Sequence, residues 1–357
     1  MNKSNKIVVG ISVGDLNGIG TEVLLKTFED KRMLDFCTPV IFASVKLLSY
    51  FKRKYNLSLN LHGIDNPKQI IHKKINVLNV WKETVDIQFG EESKKIGEYA
   101  IRSLKAATTA LKNSDIDVLV TAPINKHTIQ SETFSFPGHT DYLAKELHGD
   151  SMMLMISDTL RVGLLTDHVP VKDVSEKITA KLIEDKVQTL HKTLKQDFGI
   201  LKPKIAILGI NPHTGDNGVI GKEDDDIVRP TLKKLIETGM VVYGPYPADS
   251  FFGSGNYKNF DAILAAYHDQ GLVPFKTLSF GEGVNFTAGL NKIRTSPDHG
   301  TAYDIAGKNE ANNESFKEAV FAAIKIYKTR TEYLEISKAP LKKHKNKPFK
   351  KVQINKQ

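Results

Sequence analysis

The chain has 357 residues, 40% hydrophobic and 25% charged, with a formal net charge of +9 and one cysteine, Cys37. That length suits one large α/β unit or two lobes with a substantial core, and a lone cysteine excludes an internal disulfide framework. No apolar stretch approaches the roughly 20 residues that span a bilayer. The first residues run straight into the strand-like Ile7-Val8-Val9 without the layout of a secretory signal, so the expectation is a cytoplasmic protein with no membrane partner.

Strands are predicted in chain order at residues 7–13, 39–43, 75–80, 116–121, 160–166, 204–210 and 261–267, where short apolar, β-branched runs recur. Helical patterns fall between them at 20–28, 96–111, 174–194, 224–238 and 315–328. This alternation predicts a largely parallel α/β sheet whose ligand sits beyond the carboxyl ends of strands. Residues 338–357 hold eight lysines and no Asp or Glu, which leaves the rest of the chain near neutral. That distribution argues against a nucleic-acid partner. The tail, with Pro340 and Pro348, reads as a disordered extension after a two-lobed unit over 1–337.

Along the same path, Gly14-Asp15-Leu16-Asn17-Gly18-Ile19-Gly20 resembles a phosphate loop. It lacks both the Gly-Lys-Ser/Thr of a P-loop and the spacing of a dinucleotide fingerprint, so a typical Rossmann fold is not expected. Pro137-Gly138-His139-Thr140 opens a helical stretch; His139 and Thr140 there suit an anion, although Thr140 could serve only as a helix cap. Three of the 11 histidines, His168, His213 and His268, each follow a predicted strand directly. Neutral imidazoles on separate loops suit a catalytic divalent ion, and capping or hydrogen-bonding histidines are the alternative. The densest polar run, 267–308, contains His268, Lys276, Asn285 and Arg294 beside glycines and turn residues. So many cations, amides and histidines make a poor core and a plausible site, carried on loops, for a small anionic ligand.

Together these motifs resemble one family, the 4-hydroxythreonine-4-phosphate dehydrogenases of vitamin B6 biosynthesis. The matching stretches are 14–22, 121–126, 136–144, 168–174, 211–218, 244–252, 267–272, 283–296 and 298–308. The last also resembles the adenosine-binding loop of isocitrate and isopropylmalate dehydrogenases. The resemblance implies an α/β/α subunit of that two-lobed type, paired in a homodimer with a metal-dependent active site at the interface. It implies a metal held by His168, His213 and His268, one of them from the partner subunit, with Zn²⁺ favoured and Mg²⁺ or Co²⁺ as alternatives. It assigns the phosphorylated substrate to His139, Thr140, Lys276, Asn285 and Arg294, and the cofactor loop to Gly300 and Asp304. An aspartate there favours NAD over NADP, because it accepts from ribose hydroxyls and repels a 2′-phosphate. The implied reaction is oxidation and decarboxylation of 4-phosphooxy-L-threonine. Oxidation of D-threonate or D-erythronate 4-phosphate is the nearest alternative, and a metal-dependent phosphohydrolase a more remote one. The general base is open among Lys126, Asp249 and Asp269.

Overall fold

One 12-stranded sheet runs through the computed structural model, which describes residues 6–132 and 134–338. Apart from Lys338, the tail expected over 338–357 lies outside the described residues. In chain order the strands are β1 (Ile7–Ser12), β2 (Cys37–Ala43), β3 (Leu61–Ile64), β4 (Ile75–Asn79), β5 (Val118–Thr121) and β6 (Gly149–Ile156). They continue with β7 (Arg161–Leu164), β8 (Lys204–Leu208), β9 (Val241–Tyr246), β10 (Ala262–Ala265), β11 (Val284–Leu290) and β12 (Ile293–Pro297). Across the sheet the order is β3-β4-β2-β1-β5-β12-β11-β6-β7-β10-β8-β9. All seven predicted strands are present, joined by β3, β6, β9, β11 and β12.

The helices are α1 (Gly20–Glu29), α2 (Met33–Phe36), α3 (Val45–Lys54), α4 (Lys94–Lys112), α5 (His139–Glu146) and α6 (Val174–Lys177). After them come α7 (Ala180–Phe198), α8 (Arg229–Glu237), α9 (Ala248–Gly253), α10 (His268–Leu278) and α11 (Glu314–Ser337). They cover both faces of the sheet, which is why β2 and β5 are buried at every position and read as continuous apolar runs. Successive residues of β2 serve opposite layers: Val40 and Phe42 join Leu104 of α4, while Ile41 and Ala43 join Val23 of α1 and Phe316 of α11. Among the described residues no helix is long and apolar enough to cross a membrane.

One predicted element needs correction. The helix expected over 174–194 is broken where Ile178 is extended and the Thr179 hydroxyl accepts from the Leu182 amide at 3.2 Å, capping α7. The sheet is largely parallel, as expected, and its reversals are confined to the middle. From β3 to β12 the strands run one way; β11 is antiparallel to both β12 and β6, and β6 is antiparallel to β7. The block β7-β10-β8-β9 therefore points opposite to the first block.

Candidate active site

Because the two blocks oppose each other, the cavity that gathers most of the candidate residues does not lie simply beyond strand ends. Its floor is one face of three central strands, β12, β11 and β6. Arg294 and Ser296 are two residues apart on β12, so they share a face. Asn285 pairs with Ser296 on one side and Met155 on the other, which places Asn285, Met155 and Met153 on that same face. All five line a cavity of about 280 Å³, walled by Thr121–Ile124 and Lys126, the start of α5, Asp167-His168, one side of α10, and Asp298–Gly300. The sequence reading expected loops to carry these groups. In the structure Asn285 and Arg294 sit on strands and His268 and Lys276 on a helix, so rigid elements fix them.

Arg294 is 2% exposed. Its Nε and Nη2 donate to Thr121 Oγ1 at 3.1 and 2.6 Å, and its Nη1 donates to Thr287 Oγ1 at 3.2 Å. Among the described residues no carboxylate pairs with it, and burial pulls its pKa from 12.5 down to about 9. A buried cation offered only hydroxyls is costly until an anion arrives. Beside it His139 is held well below the usual histidine range, first by burial and then by the positive charges of Arg294 and Lys126. It is therefore a neutral ring, and its Nε2 is enclosed without a hydrogen-bond partner. Asn285 Oδ1 is likewise enclosed and unpartnered. Orphaned buried polar atoms on one cavity wall are what a polar ligand would satisfy. Thr140 does not cap α5, because Gly138 is the N-cap; Thr140 sits in the first turn, facing the cavity. Lys276 is exposed and donates to the Asp298 carbonyl at 3.2 Å.

Two of the three singled-out histidines meet here. His168 follows β7 and His268 opens α10 after β10, the parallel neighbour of β7, and their ring centroids are 6.0 Å apart. His268 Nδ1 lies 2.7 Å from an Asp269 carboxylate oxygen, so Nδ1 donates and the Nε2 lone pair is left open. Burial, and then Lys126, lower the pKa of His168, and the Lys126 ammonium donates to His168 Nε2 at 3.3 Å. His213 does not join them. It is exposed in the turn after β8, with a left-handed φ of 52°, and it does not line the cavity. Among the described residues no cluster of three or more His, Cys, Asp or Glu could hold a metal within one chain. The turn is nonetheless tethered nearby: Gln270 Nε2 donates to Gly209 O and its Oε1 accepts from Ala266 N, both at 2.7 Å.

The sequence does not single out His299, yet it lines the cavity. Its Nδ1 is 3.0 Å from the Gly300 carbonyl, which can only accept, so Nδ1 carries the hydrogen. Nε2 is then a lone pair, enclosed and unpartnered. The signal available in the sequence was its place between Asp298 and Gly300, inside the run already marked as unusual. Gly300 lines the cavity, whereas Asp304 is exposed outside it. Of the proposed bases, Lys126 lines the cavity, Asp269 is engaged by His268, and Asp249 on α9 does not line it.

Residues 35–323 match the family model of the pyridoxal phosphate biosynthetic protein PdxA. The chain is 46% identical over 343 residues to a 4-hydroxythreonine-4-phosphate dehydrogenase of Bacteroides thetaiotaomicron, covering 96% of this chain and 94% of that one. It is 37% identical over 318 residues to a D-threonate 4-phosphate dehydrogenase of Cupriavidus necator, covering 88% and 95%. A crystal structure of 4-hydroxythreonine-4-phosphate dehydrogenase from Klebsiella pneumoniae superposes with a TM-score of 0.79 at 31% identity, covering 92% and 99%. The chain belongs to the PdxA family.

Proposed function

We propose that this PdxA-family chain oxidises the 3-hydroxyl of 4-phosphooxy-L-threonine with NAD as hydride acceptor. The β-keto acid so formed loses its carboxylate as CO₂, giving 3-amino-2-oxopropyl phosphate. The observation that carries this reading is Arg294: a buried guanidinium with only hydroxyl partners, facing a cavity with a neutral histidine and an orphaned amide oxygen. In this reading Arg294 and Lys276 hold the anionic ends of the substrate, while His139, Thr140 and Asn285 supply directional hydrogen bonds. Arg294 suits the anion better than a lysine would, because its fork is already fixed by Thr121 and Thr287. His299, whose Nε2 lone pair is unpartnered at the cavity wall, is suited to receive the hydroxyl proton.

The donor set fits a divalent ion in part. His168 and His268 are two neutral-capable imidazoles on adjacent strand ends, the second oriented by Asp269. We read His213 as completing the set across a homodimer interface, with Zn²⁺ favoured over Mg²⁺ or Co²⁺. Such an ion supplies Lewis acidity to the substrate's hydroxyl and carbonyl oxygens. The exposed carboxylate of Asp304 is available to ribose hydroxyls, which supports NAD over NADP. The two oppositely running blocks of the sheet would correspond to two lobes, with the substrate cavity over the strands between them.

A second reading, oxidation of a D-threonate or D-erythronate 4-phosphate, is favoured by the relative from Cupriavidus necator that bears the first of those names. Assay of purified protein with NAD⁺ and each phosphate separates the two. NADH formation with the higher kcat/KM for 4-phosphooxy-L-threonine is expected, and turnover of the sugar acid phosphate alone would overturn the assignment.

A further inference from the structure

The glycine-rich segment 14–22 does not line the cavity, yet several loops are fastened to it. Gly14 has a φ of 65°, and a Cβ there would stand 2.1 Å from the Pro123 carbonyl oxygen, so only glycine lets the turn lie against the 121–126 wall. Asp15 and Asn17 are each 1% exposed. Asn17 Oδ1 accepts from Gln88 N at 3.0 Å and its Nδ2 donates to Glu91 O at 2.8 Å. Asp15 Oδ1 accepts from Asn17 N at 2.9 Å, and Oδ2 accepts from the Tyr303 hydroxyl at 2.8 Å. Next to that contact, Ile19 N donates to Thr301 O at 3.0 Å. Further along, Glu22 and Lys26 of α1 hold the 309–311 segment through Ala311 N, Asn309 O and Ala311 O.

The segment that presents His299 and Gly300 to the cavity is thus tied from behind at residues 301, 303 and 309–311. Between the first two ties, Ala302 holds a φ of 42°, a conformation an alanine keeps only when its neighbours enforce it. We propose that Asp15 is a positioning residue for the cofactor: through Tyr303 it fixes the 298–308 loop while touching neither substrate nor cofactor itself. The phosphate-loop likeness of 14–22 then has a different physical meaning. Its glycines allow close approach of neighbouring backbone, and its carboxylate anchors a loop. This inference rests on the reading of 298–308 as the cofactor loop.

The test uses the full-length protein and NADH itself as probe. Tyr303→Phe removes one hydroxyl, and a buried hydrogen bond to a carboxylate lost from the loop should weaken NADH binding about tenfold by fluorescence titration. In the ligand-free protein, amides of residues 300–306 should exchange faster. KM for the phosphorylated substrate and the melting temperature should change little. Asp15→Asn should produce the same loss, and the double variant should be no weaker than either single one, since both cut the same link. Asp304→Ala tests the loop reading separately. If it weakens NADH binding while Tyr303→Phe does not, the positioning role is wrong and the loop reading stands. If neither weakens NADH binding, both fall. Equal losses for NADH and substrate with a lowered melting temperature would reduce Asp15 to a structural residue and overturn the inference.

Discussion

Among the described residues two arginines are buried, in opposite ways. Arg330, 8% exposed on α11, grips Asp197 of α7 with two parallel hydrogen bonds of 2.6 and 2.8 Å and donates to Leu290 O at 3.1 Å. Arg294 is more deeply buried and has two threonine hydroxyls instead. The first region is closed: charge meets charge, α7 is fastened to α11, and nothing is left to bind. The second is open, because the fold desolvates a cation and supplies no counter-ion. Burial alone therefore does not mark a functional charge; the identity of its partners does.

Substitutions should separate the two regions, and the largest effect is expected in the closed one. Arg330→Met strands the buried Asp197 carboxylate and should cost about 3–5 kcal/mol in urea unfolding, with KM of the remaining folded enzyme unchanged. Burial already pushes the Asp197 carboxyl up more than Arg330 pulls it down, so adding Asp197→Asn should recover much of that loss. Arg294→Met should do the reverse: kcat/KM falls about 100-fold, roughly 2.8 kcal/mol of transition-state binding, while the melting temperature holds or rises. A fall in stability like that of Arg330→Met would erase the distinction. Lys276→Ala removes an exposed cation that shares its charge with water, and about a tenfold rise in substrate KM is expected.

The smallest effect is a pH dependence. The folded-state pKa of His139 lies well below the ordinary histidine value of 6.5, so as pH falls past 6.5 the unfolded chain takes up a proton that the folded chain refuses. Its contribution to stability is present above 6.5 and is lost as pH falls toward the depressed value. His139→Gln should therefore lessen the drop in urea midpoint between about pH 7 and about pH 5. Arg294→Met should lessen it too, because the guanidinium is one reason His139 stays neutral.

Seven of the twelve strands were legible because they are apolar in the ordinary way, as Val118–Thr121 and Ala262–Ala265 are. The central strands were not. Strand β12 reads Ile-Arg-Thr-Ser-Pro and β11 carries Asn285 and Thr287, because the face an ordinary sheet gives to a core here floors the cavity. Polar residues facing the cavity break the alternation that announces a strand. For α10 the cause was Gly271 and Pro274, both helix-weakening by propensity, in a segment whose Leu272 and Phe275 are held by tertiary packing. The candidate site was legible as residue types, and the structure gathers His139, Thr140, His168, His268, Lys276, Asn285, Arg294 and Gly300 around one cavity. His213 stays apart from them, exposed in its own turn after β8.

The reversal of strand direction also bears on how the polypeptide is made. The block from β6 to β11 is contiguous in sequence, so its pairings can form as soon as that length has left the ribosome. The amino-terminal strands have a longer wait. The partner of β5 on its open side is β12, about half the chain away, and the helix covering both is α11. Until that last segment is synthesised, Val118–Thr121 is an exposed apolar sheet edge, the stage at which this protein would most need protection from aggregation.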